Sequence, residues 1–372
     1  MTTPVETARR ADRARRWRQP TVWLRGAALG LFVLVPLVIQ SFQATDLAIK
    51  IAIFGALVAS YDVVIGYTGI VSFGHAMFFG FGAYAVALSV GRFGAPTYGH
   101  LLLGFLIGMV VSAAVAVLIG AFSLRVKLIF FAMITLAFAE FAGILAVQWS
   151  ALSGGEDGLS PKLPGVFAIA YDGGRILGIP ATGKLVTYYF VLAVCAALFL
   201  VMARFVASPL GRALQAIRDN ELRAEALGVP TFKLQIVSSS FASVVATIVG
   251  GCYVMWVRYV NPESALGVPL MLDVLLMVII GGIGTLWGGL IGAAVLLTAR
   301  LLLPDLRGLA ALLGGSEIVQ RLTERWLLVF GVLFVLVVFF FPRGVLGTAR
   351  EALARRNPPL PQRGGGQGEG AG

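Results

Sequence analysis

The sequence predicts an all-α fold, a polytopic transmembrane helix bundle of about ten spans carrying a helical hairpin on its cytoplasmic side. Three observations lead there. Apolar runs long enough to cross a bilayer recur from Trp23 to Phe341. Over 372 residues the chain is 58% hydrophobic and 13% charged, with a mean hydropathy of +0.90, which leaves too little polar surface for a water-soluble globule of this size. The runs are continuous rather than alternating, so they read as helices and not as the strands of a barrel, the other architecture that satisfies its backbone groups in hydrocarbon.

Residues 1–22 form a basic cytoplasmic tail with Arg9, Arg10, Arg13, Arg15, Arg16 and Arg18. The run from Trp23 to Phe42 has no small-x-small cleavage site after it and is expected to stay as the first span rather than be removed as a signal peptide. Further helices are expected over Leu47 to Gly66, Phe73 to Val90, Leu101 to Leu124, Leu128 to Trp149 and Leu185 to Val206, close to the ~20 residues a crossing needs. Between the last two lies a Gly- and Pro-rich periplasmic loop, residues 150–184, with room for a short helix or hairpin. A charged insert fills residues 207–230, and Phe232 to Trp256 follows as a span. Leu270 to Leu303 is too long for one crossing, and Gly281-Gly-Ile-Gly-Thr-Leu-Trp-Gly-Gly289 breaks it into two joined by a glycine turn. Trp326 to Phe341 closes a membrane domain spanning residues 23–342, and the Gly-rich cytoplasmic tail, 343–372, is disordered by composition.

Charge sets the orientation. The formal net charge of +11 comes from Arg residues at the ends of apolar runs and in the tails, the positive-inside pattern rather than a nucleic-acid surface. With the amino end inside, Arg125 and Lys127 also fall inside, the loop 150–184 falls outside and the charged insert inside. Counting the long run twice returns Arg343, Arg350, Arg355 and Arg356 to the cytoplasm. Cys195 and Cys252 lie within apolar runs and read as small buried side chains rather than a disulfide.

Few residues carry chemistry. The segment from Gly66 to Tyr84 mixes glycines with Tyr67, Ser72, His75 and aromatics at a membrane entry, and two readings stay open: it lines the pathway, or it packs helices through Ala76 and Gly80 at i, i+4. His75 has no His, Cys or carboxylate partner at metal spacing, which favours a hydrogen-bonded structural role. Asp62, Glu140 and Asp273 are the carboxylates within apolar runs, with Glu140 expected deepest. Thr285 and Trp287 sit in the second glycine-broken stretch. Asp62 and Asp273 each lead an apolar run into a Gly-interrupted segment, a faint internal repeat of the kind that marks translocation axes. Gly178-Ile-Pro-Ala-Thr-Gly-Lys184 has phosphate-loop spacing, but Leu185 stands where a Ser or Thr would hold magnesium. Gly80-Phe-Gly82-Ala-Tyr-Ala85 lies in a spanning helix. Neither is a nucleotide site, and no nucleophile-base set or metal cluster stands out, so no catalysis is expected of this chain.

The charged insert is the informative piece. Pro209 to Arg218 is expected as a short helix with Ala213, Leu214 and Ile217 on one side and Arg212 and Arg218 elsewhere. Asp219 and Asn220 break and cap it, and Glu221 to Leu227 forms a second helix closed by Gly228 and Pro230. A capped helical pair too polar for lipid is suited to docking in a groove of a soluble partner.

Taken in order, four blocks resemble the inner-membrane permeases of branched-chain amino acid ATP-binding-cassette importers, of the LivM type. They are Gly66-Tyr-Thr-Gly-Ile-Val-Ser-Phe-Gly-His-Ala76 with Gly82-Ala-Tyr84; Ser153-Gly-Gly-Glu-Asp-Gly-Leu159; Gly211-Arg-Ala-Leu-Gln-Ala-Ile-Arg-Asp-Asn-Glu221 with Ala224-Glu-Ala-Leu-Gly228; and Leu275 to Gly288. Phe341-Pro-Arg-Gly344 is similar as well. The resemblance implies a pathway formed with a second related permease subunit in a bacterial inner membrane. It also implies a periplasmic substrate-binding protein and two cytoplasmic ATPase subunits that bind ATP and magnesium, so that this chain binds no cofactor itself. ATPase coupling is then expected at Arg212, Leu214, Ile217, Arg218, Asn220, Glu221, Ala224 and Gly228, and the pathway at Tyr67, Ser72, His75, Glu140, Thr285 and Trp287. Aliphatic amino acids are the implied substrates. Urea or short amides, or action as a stand-alone secondary carrier, are the alternatives.

Overall fold

The computed structural model describes residues 30–39, 41–92, 95–124, 128–176 and 179–312, together with residues 331, 335, 339 and 344. The basic tail, Arg125, Lys127, most of the expected last span and most of the tail from Arg343 lie outside the described residues.

Residues 30–38 are helical, and two tyrosine hydroxyls tie them to the rest of the chain: Tyr188 donates to the Phe32 carbonyl at 2.6 Å and Tyr189 to that of Val33 at 3.2 Å. Helix α1 (Phe42–Asp62) runs on into a single π-helical stretch, Val63–Thr68. Helices α2 (His75–Arg92), α3 (Tyr98–Ser123) and α4 (Leu128–Gln148) follow, then the short α5 (Ser150–Ser153) and a two-stranded antiparallel hairpin of β1 (Asp172–Ile176) and β2 (Ile179–Thr182). The hairpin and α5 account for the loop expected over 150–184. Helix α6 (Gly183–Ala207) starts on a Thr182 cap, so the phosphate-loop lookalike is a strand end and a helix start.

The insert folds as α7 (Pro209–Asp219) and α8 (Glu221–Ala226), after which come α9 (Thr231–Val257), α10 (Pro262–Leu266), α11 (Val268–Gly281) and α12 (Leu286–Leu312). Among the described residues six helical stretches are long and apolar enough to cross a membrane, and the apolar part of α12, Leu286–Leu302, is shorter. The protein is an all-α polytopic bundle, and the long run is broken where its glycines predict.

The spans are not equivalent. In α1 83% of the most apolar window is buried within the chain, against 22% in both α4 and α6. The first therefore sits at the centre and the others present apolar faces outward. At the centre α2 and α9 approach closely because neither carries a side chain at the contact: a Cβ on Gly250 would collide with the Phe79 carbonyl, and one on Gly82 with the Thr247 backbone. Thr247 satisfies its hydroxyl there, donating to the Phe78 carbonyl at 3.0 Å and meeting the Ser112 hydroxyl of α3 at 2.5 Å. The segment beginning at Gly66 thus does pack helices, through Gly80 and Gly82; Gly80 faces Leu266 of α10.

Candidate functional site at the meeting of two broken segments

Asp62 ends α1, and the carboxylate it carries is almost wholly buried. A bare carboxylate at such depth is costly, and here it is met by the other broken segment: its Oδ1 accepts the Gly284 N–H at 2.7 Å. Gly284 lies in the turn between α11 and α12, so the negative charge sits beside the amino end of α12, where the helix dipole favours it. Gly66 leaves the space for this contact, since a Cβ on it would overlap both the Asp62 carboxylate and the Gly284 nitrogen. The π turn itself is held by Thr68, whose hydroxyl donates to the Val63 carbonyl at 3.0 Å and pairs with Ser238 of α9 at 2.7 Å. A π stretch trades regular hydrogen bonds for a local bulge, a feature common at functional sites.

The turn of the second segment is equally particular. Gly282 and Gly284 both have positive φ, 104° and 83°, a region that side chains with a Cβ avoid. Thr285 closes the turn by donating its hydroxyl to the Gly282 carbonyl at 2.7 Å. Gly344, from the closing Phe341-Pro-Arg-Gly344 block, is buried against Gly282, and a Cβ on it would strike the Gly282 backbone.

Onto this meeting point comes the charged insert. Ser208 caps α7 by accepting from the Gly211 N–H at 3.2 Å, and Asn220 caps α8 by accepting from Arg223 N–H at 2.9 Å; each such cap is worth about 1 kcal/mol. Leu214, Ile217 and Ala224 are buried, packed with Phe205, Leu210, Val229 and Leu234. The apolar stripe of the insert therefore faces its own bundle, while Arg212, Arg218, Asn220, Glu221 and Gly228 are exposed. Leu222 and Leu227 are 79% and 78% exposed. Two further bonds brace the elbow to α9: Gln235 donates to the Glu221 carboxylate at 2.9 Å and Thr231 to that of Glu225 at 2.7 Å. Arg218 reaches inward, donating from Nη1 to the Gly66 carbonyl, and its stem passes over Gly69, whose φ of 81° again requires glycine. A cavity of about 530 Å³ opens beside it, between Thr68 to Val71 and Arg218 to Leu222.

Residues 43–338 match the family described as branched-chain amino acid transport system / permease component. The chain belongs to that family. Among curated relatives of this permease, the high-affinity branched-chain amino acid transport system permease protein LivM of Salmonella typhimurium is 27% identical over 325 residues, 83% of this chain and 71% of its own length. That of Escherichia coli is 27% identical over 346 residues, covering 89% and 76%. The probable branched-chain amino acid transport permease protein LivM of Methanocaldococcus jannaschii is 26% identical over 160 residues, 42% of this chain and 45% of its own. No solved structure matches the chain.

Not all the expected pathway residues of the permease come together. Thr285 stands at the meeting point, and Tyr67 lies on the π turn next to Gly66. Trp287 opens α12 and packs on Phe199 of α6, ring centres 4.6 Å apart. His75 lies nearby in sequence but in a buried pocket of its own, its Nε2 2.8 Å from the Ser60 hydroxyl and its ring beside Tyr61, the hydrogen-bonded structural place that the lack of metal-spaced partners suggests. Ser72 accepts from the Gly74 N–H at 3.3 Å. Glu140 is exposed and lines a separate cavity of about 590 Å³ with Glu156, Asn261 and Glu263. Asp273 is paired with Arg300 of α12 through two contacts of 2.7 and 2.5 Å. Among the described residues no group of three His, Cys, Asp or Glu is placed to hold a metal ion. The contact of Asp62 with Gly284 and the inward reach of Arg218 are what sequence reasoning did not find; the only signal was the matching acidic-to-glycine pattern in the two halves.

Proposed function

We propose that this permease is the membrane subunit of an ATP-binding-cassette importer that carries branched-chain, aliphatic amino acids across a bacterial inner membrane. It has no catalysis of its own. A second related permease subunit completes the pathway, and a periplasmic substrate-binding protein delivers the solute. Two cytoplasmic ATPase subunits, which bind ATP and magnesium, hold the elbow of α7 and α8.

The observation that carries this reading is the elbow: a doubly capped, polar helical pair outside the apolar bundle, fastened to it by a buried apolar stripe and connected through Arg218 to the broken segments. Its exposed leucines, Leu222 and Leu227, are apolar anchors on a polar surface, the form in which a short helix enters a groove of a partner. Nucleotide-driven closure of the ATPase pair pushes the elbow, and a stiff elbow passes the displacement into the bundle. The pathway runs by the broken segments, where exposed backbone dipoles receive the charged ends of an amino acid and apolar walls receive its side chain.

The test is reconstitution. Proteoliposomes holding the chain with the proposed ATPase, second permease and binding-protein subunits should take up labelled leucine, isoleucine and valine only with ATP. Urea and short amides, offered in the same assay, should not compete. Uptake by the purified chain alone, driven by a proton or sodium gradient, would overturn the proposal in favour of a secondary carrier.

A further inference from the structure

Arg218 lies on the exposed elbow, yet its guanidinium reaches back to the bundle. Its guanidinium bonds the carbonyl of Gly66 on the π turn and stands where a Cβ on Gly284 would come within 3.0 Å of it, while its stem lies over Gly69. Gly284 in turn is held by the Asp62 carboxylate, so the guanidinium stands beside the bond that joins the two segments. One side chain of the elbow thus touches the first broken segment and adjoins the second, and glycines at 66, 69 and 284 make the room. We propose that Arg218 is a positioning residue that locks the two broken segments together and releases them when the elbow is displaced.

The physical sense is a lever with one rigid pin. The elbow is stiff because its apolar face is buried and its second helix is braced to α9. Displacing it withdraws a charge-assisted hydrogen bond from the Gly66 carbonyl and takes the side chain away from Gly284. The first broken segment is then free of the elbow, and the amino end of α12 separates from the end of α1. A hydrogen bond from a charged group at a partly buried site is worth roughly a factor of ten or more in an equilibrium. That suffices to bias a gate. The inference rests on the reading of an ATP-driven importer.

The test follows two positions during one nucleotide cycle of the reconstituted complex. Spin labels are placed at Ala226→Cys on the elbow or Ile283→Cys on the turn, each paired with Ile169→Cys in the distant loop. Cys195 and Cys252 are buried and stay unlabelled. With wild-type Arg218, addition of ATP should shift both distances. In Arg218→Gln the elbow distance should still shift while the turn distance stays, and uptake per ATP hydrolysed should fall about tenfold. Arg218→Met, which keeps the length of the stem, removes the bonding charge and leaves both glycine turns as they are, should separate the two motions in the same way, so the outcome does not hang on one variant. Arg218→Lys, which keeps the charge, should restore part of the coupled motion. A turn that still follows the elbow in both Arg218→Gln and Arg218→Met overturns the lock while leaving the importer standing. An elbow that does not respond to ATP in wild type overturns the importer reading and the lock with it.

Discussion

Asp62 and Gly284, 222 residues apart in sequence, are joined by a 2.7 Å hydrogen bond from the Gly284 N–H to the Asp62 carboxylate. It joins the end of α1 to the start of α12 and so ties the two Gly-interrupted segments together directly. Changing Asp62 to Asn keeps the shape and an accepting oxygen but removes the charge. Assembly should persist while ATP-driven uptake falls about tenfold, the worth of a charge in such a bond. Asp62→Leu, with no acceptor, should also lower the amount of folded protein recovered from membranes. Uptake assays and detergent size-exclusion profiles read the two effects apart.

Close approach of α2 and α9 depends on Gly250. Gly250→Ala should destabilise the bundle by about 1–3 kcal/mol, since the methyl meets backbone that cannot yield. Gly91→Ala is the control: nothing lies within 4 Å of that position, and it should melt like wild type or slightly higher. Thermal melts of the detergent-purified protein give the comparison.

The two kinds of leucine in the elbow should separate stability from docking. Leu214 is fully buried, so Leu214→Ala should cost the elbow about 3 kcal/mol and expose it to proteolysis. Leu222→Ala and Leu227→Ala remove exposed side chains, and should leave proteolysis unchanged while weakening co-purification of the ATPase.

Asp273 and Arg300 form a pair whose halves need each other. Arg300→Leu should destabilise more than the double change Asp273→Leu with Arg300→Leu, because the single change leaves a carboxylate unpaired among apolar helices. Yields of folded protein from the singles and the double decide it.

Orientation is checked by labelling from either side. Ile169, in the loop expected outside, is 80% exposed and should react as cysteine with an impermeant reagent added to whole cells; Ala226→Cys on the elbow should react only after the membrane is opened. Ser153 is unsuitable for this, being buried with its hydroxyl on the Ala146 carbonyl.

Helix positions were legible because apolar length and glycine or proline punctuation are local properties. The break at Gly281 to Gly289 appears as the end of α11 at Gly281 and the start of α12 at Leu286, and the capped insert as α7 and α8, with ends shifted by a few residues at most. Direction was harder to read. Leu214 and Ile217 form a stripe that suits an outside groove and an inside one equally, and only packing shows that the inside took it. Arg218 looked like part of a docking surface because charge on a polar insert gives no hint of which way it points. Glu140 lies within a spanning helix as its place in the run predicts, but its side chain lines a cavity apart from the other pathway candidates, which the run does not reveal. Which residues share a site is a property of tertiary contact, and here it hinged on missing side chains at Gly66, Gly69 and Gly284.

Gly344 seats itself against Gly282, well beyond α12 in the chain. During synthesis the turn before α12 therefore stays unfinished until residue 344 has been made, so a translocon that releases earlier helices into lipid cannot complete this protein span by span. Chains cut short of Gly344 should accumulate as inserted but immature intermediates, fit for quality-control degradation rather than transport.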